Sequence, residues 1–135
     1  MTMQVQEASV IWPAANASAI GLKTVFVILD RWQMAAEQQM HVLQLSRSAY
    51  YKHKKDPSGA SLSRDQLLRI SYLLNIHAAL RTLFDNPENQ QGFMAMPNQH
   101  PFFNGATPLQ LIGTGDFGAL YEVHKHIDGL RGGLW

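Results

Sequence analysis

The segment Ser46-Arg-Ser-Ala-Tyr-Tyr-Lys-His-Lys-Lys55 concentrates more chemistry than any other stretch of this 135-residue chain. It holds Arg47, Lys52, Lys54 and Lys55, four of the 11 cations, and no acid, with Tyr50 and Tyr51 interleaved. Cations and aromatics on one short helix suit a polyanion. The expected roles are Arg47 reading a guanine edge, Ser46 and Ser48 binding base or phosphate, and Lys52, Lys54 and Lys55 holding phosphates. The alternative is a solvated basic helix with its tyrosines turned inward.

Other candidate chemistry is thinner. Gly113-Thr-Gly-Asp-Phe-Gly118 fits the GxGxxG dinucleotide pattern, but that pattern needs a preceding strand and a following acid within a βαβ unit. Here the preceding residues begin at a helix cap and only 17 residues follow Gly118, so a turn between two helices is expected and a nucleotide-using enzyme is not. The six histidines show no metal-binding spacing, and His124 and His126 point to different sides of a helix. Ser46, Ser48, Ser58, Ser61, Ser63 and Ser71 lie near caps or loops, outside any nucleophile motif. No catalytic residue, metal, cofactor or small-molecule substrate is expected. The chain has no cysteine, which excludes disulfides, thiolate nucleophiles and cysteine-based metal sites.

The elements that must position the basic segment read as helices. Residues 1–20, rich in Ala, Ser, Gln and Asn, are expected to be a loose arm, with Trp12 the one residue suited to docking. Leu22 to Trp32 and Gln33 to Leu45 read as helices, and Ser46 caps the basic one. The close spacing of the last two is that of a helix-turn-helix. Asp56-Pro-Ser-Gly59 breaks the chain. Ser63 and Gln66 form a capping box opening a long helix to about Phe84, apolar over more than half its circumference and therefore central to the core. Asp65 and Arg69 are placed on its polar side as a helix pair. Asn86-Pro87-Glu88 restarts a helix. Thr107-Pro-Leu-Gln110 is another capping box, and a last helix runs from about Asp116 to Leu130. The tail from Arg131 to Trp135 is expected to be non-helical. Phe102 and Phe103, in a Pro/Asn/Gly loop, are expected to pack on the core or a partner. Trp32 and the run Val25–Leu29 are candidates for core or dimer contacts.

The expected fold is all-α: a helix-turn-helix-like module at 21–84 after a flexible arm at 1–20, packed on a small helical module at 85–135. A chain of this size buries enough surface to fold unaided. Net charge is +1, so nucleic acid could be held by a local patch only. Only 16% of residues are charged against 46% hydrophobic, which fits a surface partly covered by a partner. No apolar run spans a membrane and no secretory signal opens the chain, so cytoplasmic residence is expected.

The C-terminal half resembles the toxin-binding domain of the Xre/MbcA/ParS antitoxins. Met96-Pro-Asn-Gln-His-Pro-Phe-Phe-Asn-Gly105, Thr107-Pro-Leu-Gln-Leu-Ile112, Gly115, Gly118, the helix through Val123 and Ile127, and Gly129-Leu-Arg-Gly-Gly133 carry the resemblance. Leu29-Asp-Arg-Trp32, Leu45-Ser-Arg-Ser48, Tyr50 and the helix 63–84 look like the family's helix-turn-helix-like N-terminal domain. The resemblance implies a non-enzymatic antitoxin that forms homodimers and binds a RES-domain toxin, an NAD consumer or ADP-ribosyl transferase. It implies that the chain end reaches the toxin's NAD pocket, and that some members repress their own operator. Asn98, Phe102, Phe103 and residues Gly129, Leu130, Arg131, Gly132, Gly133, Leu134 and Trp135 are the expected toxin contacts. The tail combines a cation with a terminal aromatic, which suits obstruction of a pocket. The alternative is a helix-turn-helix repressor without a toxin partner.

Overall fold

The computed structural model describes residues 14–132. Among these the chain is all helical: α1 (Ala14–Arg31), α2 (Ala36–Leu43), α3 (Arg47–Lys55), α4 (Arg64–Leu83), α5 (Pro87–Met94), α6 (Pro108–Ile112) and α7 (Phe117–Arg131), with a 3-10 turn at Pro57–Gly59. A helix-turn-helix module comes first, and a helical C-terminal module packs against it.

Helix α1 corrects the expected arm. Residues 14–20 are its first turns, and Ala17 and Ser18 are buried. The composition that reads as loose is rich in alanine, the best helix former. Small side chains also admit the 3-10 turn and its exit, and Ser18 Oγ accepts a 3.0 Å bond from the Leu62 amide. The expectations for residues 1–13, Trp12 included, lie outside the described residues. Leu22, Val25, Phe26, Leu29 and Trp32 are buried in the core, whereas Val27 faces out.

Two turns shape the module, and each uses a glutamine in the left-handed region. Gln33 (φ 62°) ends α1, with the Met34 amide bonded to the Leu29 carbonyl. Gln44 (φ 55°) ends α2, with the Leu45 amide bonded to the Met40 carbonyl. Both are six-to-one closures of a helix end. Gln66 Nε2 braces the second turn through the Gln44 carbonyl at 2.9 Å. Ser46 Oγ then accepts from the Ala49 amide and starts α3. The expected caps of α4, α5 and α6 are all present, at Ser63 with Gln66, Asn86, and Thr107 with Gln110.

Helix α4 is the central element, touching α1, α2, α5 and α7. Leu73, Ile76 and Leu80 are buried from one side or another, and Leu120, Val123 and Ile127 of α7 lie against it. Arg131 belongs to α7 and pairs with Asp128 at 2.6 Å, which corrects the expectation of a tail that is non-helical from Arg131. A basic residue in the last turn favours the negative end of the helix dipole.

Candidate partner-binding surfaces

The exposed side of α3 is the first surface. Two of its expected contacts are absorbed by the fold. Tyr50 is 2% exposed; its hydroxyl donates to Gln39 Oε1 at 2.9 Å and its ring meets Phe26 edge-on. It is a core residue, not one facing a nucleic acid, because only the inward position gives both ring and hydroxyl a partner. Lys54 is tied down as well. Its ammonium donates to Asp30 at 2.9 Å and to the Tyr50 hydroxyl at 3.1 Å, and lies over the Phe26 and Tyr50 rings. Burial opposes its charge, but the bonds to Asp30 and Tyr50 outweigh burial and raise its pKa above the usual lysine value.

Ser48, Tyr51, Lys52 and Lys55 are exposed. Ser46 spends its hydroxyl on the cap. Arg47 pairs with Glu37 with both side chains mostly exposed, a contact that solvent screens heavily. The basic segment has no acid of its own, yet α1 and α2 supply Asp30 and Glu37, so its usable positive charge is smaller than its composition.

The second surface is on the C-terminal module. Asn98 closes its loop from within: its amide donates to the Ala106 carbonyl, its carbonyl accepts from the Gly105 amide, and its Oδ1 accepts from the His100 amide at 2.8 Å. Phe102 and Phe103 part company. Phe103 is 2% exposed, stacked edge-on by Phe102, His100 and His126, and so is core rather than a toxin contact. Phe102 remains 39% exposed. A pocket of about 330 Å³ opens beside it, lined by His100, Phe102, Glu122, Lys125, His126 and Gly129. Burial, and then the neighbouring His100, hold the His126 pKa below the ordinary histidine value. Leu130 is half-buried, and Arg131 and Gly132 are exposed at the end of α7. Gly133, Leu134 and Trp135 lie outside the described residues. His100, His126 and the exposed Met96 are not among the expected toxin contacts, because no local spacing joins a loop to a helix more than 20 residues later.

The glycine-rich pattern is a turn between α6 and α7 that runs into the first turn of α7, and Gly113 and Gly115 lie close against α2. Gly115 has φ +82°, and a Cβ there would come 2.8 Å from the His41 carbonyl oxygen. Arg69, expected on a polar face, is buried instead. It reaches the Val42 and Gly115 carbonyls as well as Asp65. Among the described residues no three metal-ligating side chains come together, and no helix is long and apolar enough to cross a membrane.

Residues 12–75 match the family model of the antitoxin Xre-like helix-turn-helix domain, and residues 79–133 match that of the antitoxin Xre/MbcA/ParS C-terminal toxin-binding domain. The two ranges part within α4. The chain is also 36% identical over 113 residues to the uncharacterized protein y4oB of Sinorhizobium fredii, covering 83% of this chain and 84% of that protein.

Proposed function

This chain belongs to the Xre/MbcA/ParS-type antitoxins, and we propose that the toxin it holds is a RES-domain enzyme that consumes NAD or transfers ADP-ribose from it. As an antitoxin it works by binding to a toxin; the proposal adds which toxin and where. The RES identity rests on the family resemblance, and the observation that supports the place of contact is the pocket between the 98–106 loop and the last turns of α7, with Phe102 exposed at its rim and Gly129 in its wall. An aromatic anchor beside a concave, half-apolar site is the usual make-up of a binding hot spot.

In this reading Phe102 and the pocket grip the toxin's outer surface. The segment from Gly129 through Leu130, Arg131, Gly132, Gly133 and Leu134 to Trp135 enters the NAD pocket and obstructs it. Asn98 and Phe103 act indirectly, by holding the loop that presents Phe102. The chain itself performs no chemistry and is at work in the cytoplasm, where NAD is.

The test is deletion of residues 130–135, followed by the rate of NAD consumption by the RES toxin at equimolar antitoxin. The expected result is restored NAD consumption with the complex still formed through Phe102. Unchanged inhibition places neutralisation elsewhere.

Repression of its own operator by a homodimer completes the proposal. Ser48, Tyr51, Lys52 and Lys55 on α3, with Arg47 released from Glu37, are the proposed DNA contacts. Two such helices about 34 Å apart would meet successive turns of a duplex.

A further inference from the structure

Arg69 sits where the two modules meet, and its side chain is 8% exposed. Nη1 donates to the Val42 carbonyl at 3.1 Å and to the Gly115 carbonyl at 2.8 Å, while Nε donates to Asp65 Oδ2 at 2.9 Å. The guanidinium also lies over the Phe117 ring, 5.7 Å from its centre. Val42 is in the last turn of α2, where carbonyls lack intrahelical partners. Gly115 is in the turn that launches α7. One side chain therefore terminates a helix of the first module and a turn of the second.

The two are also in direct contact. No side chain fits at Gly115 against the His41 carbonyl, and a Cβ at Gly113 would meet Gln38 at 2.7 Å. His41 Nδ1 lies 3.2 Å from the Gly113 carbonyl. Helix α2 passes through one left-handed residue, Gln44, into α3. A short bonded path thus runs from the start of α7 to the proposed DNA-facing helix.

We propose that Arg69 is a positioning residue that couples the two modules, so that α2 and the start of α7 open together and a duplex held at α3 steadies the turn at residues 113–118. A planar guanidinium can serve two carbonyls and a carboxylate at fixed angles, whereas an ammonium is a single point charge. Loss of the fork leaves two carbonyls short of partners and frees the turn from α2. Coupling between sites is reciprocal and commonly about 5- to 150-fold. Its consequence for partners rests on the function proposed above; the coupling within the free chain does not.

The deciding experiment is native-state amide exchange on the full chain, unmodified and carrying Arg69→Lys or, separately, His41→Ala. In the unmodified chain α2 amides and α7 amides are expected to open together, with matched protection and matched urea dependence. Arg69→Lys is expected to separate them, one module losing at least about tenfold more protection than the other, a margin at the low end of typical site coupling. His41→Ala, at an exposed side chain with a single bond across the junction, is expected to separate them less. Independent opening in the unmodified chain overturns the proposal, and so does equal loss in both modules of the Arg69→Lys chain. A second arm adds a duplex of the region upstream of the chain's own coding sequence. Protection at residues 113–118 is expected to rise in the unmodified chain and not in Arg69→Lys. Failure of that duplex to bind counts against the proposed operator repression alone, and the free-chain comparison still decides the coupling.

Discussion

Replacing Lys52 and Lys55 together with glutamine, and Lys54 alone, separates cations that are free from one that is already committed. Each phosphate neutralised adds roughly 0.9 to the dependence of log affinity on log salt. Two contacts therefore contribute about 1.8, or a loss of about 12-fold between 50 and 200 mM salt, which the double variant should no longer show. Lys54 behaves otherwise. Its partner Asp30 is half exposed, so the ion pair is worth well under about 1 kcal/mol after screening. The bond to the buried Tyr50 hydroxyl adds about 1 kcal/mol. Lys54→Gln should thus lower the melting temperature by about 4 °C and leave the salt slope unchanged. The assays are fluorescence anisotropy of a labelled duplex titrated across a salt series, and thermal unfolding by circular dichroism. The slope is independent of sequence, so any duplex serves. A Lys54→Gln chain that loses about 0.9 of slope, with unaltered melting, would refute the assignment of Lys54 to Asp30 and Tyr50.

Phe103→Ala should cost about 3–5 kcal/mol in urea unfolding as a buried aromatic, while Phe102→Ala should cost only about 1 kcal/mol, from its edge-on contact with Phe103, and should weaken toxin capture in a pull-down. Gly115→Ala puts a Cβ against the His41 carbonyl at a positive φ; a destabilisation above about 1 kcal/mol is expected, and a neutral result would mean the turn is not held there. Burial first, then Arg81 and Arg31 for His77 and His100 for His126, lower both histidine pKa values from the usual 6.5. As pH falls through 6.5 the unfolded chain gains protons that the folded chain refuses, so stability present above that value should decline until the folded pKa values are passed. Urea midpoints between pH 7.5 and 5 measure this, and His77→Gln should flatten the decline. Ser46→Ala should remove about 1 kcal/mol by uncapping α3, read from thermal unfolding.

Much of this was legible in the chain because the responsible forces act within four residues. Ser46, Ser63 with Gln66, Asn86 before Pro87, and Thr107 with Gln110 each bond an amide three positions on, so the caps and starts of α3 to α6 follow from local spacing. The short gap between α2 and α3, and the helix-to-turn context of the glycine pattern, were equally local. They were enough for the all-helical class and the order of the modules.

Other assignments needed the third dimension. Lys54 finds its acid 24 residues away in α1, and Arg69 finds a carbonyl 46 residues away, distances over which no periodicity reports. Tyr50 and Tyr51 are neighbours of the same type, as are Phe102 and Phe103, yet one of each pair is core and the other surface. Helical geometry sets how neighbouring side chains diverge, but only the approach of α1 to α3 and of α7 to the loop decides which of them loses its water. A charged or aromatic group gains from burial where distant elements supply its partners, and that supply is a property of the packed chain, absent from any short window of its sequence.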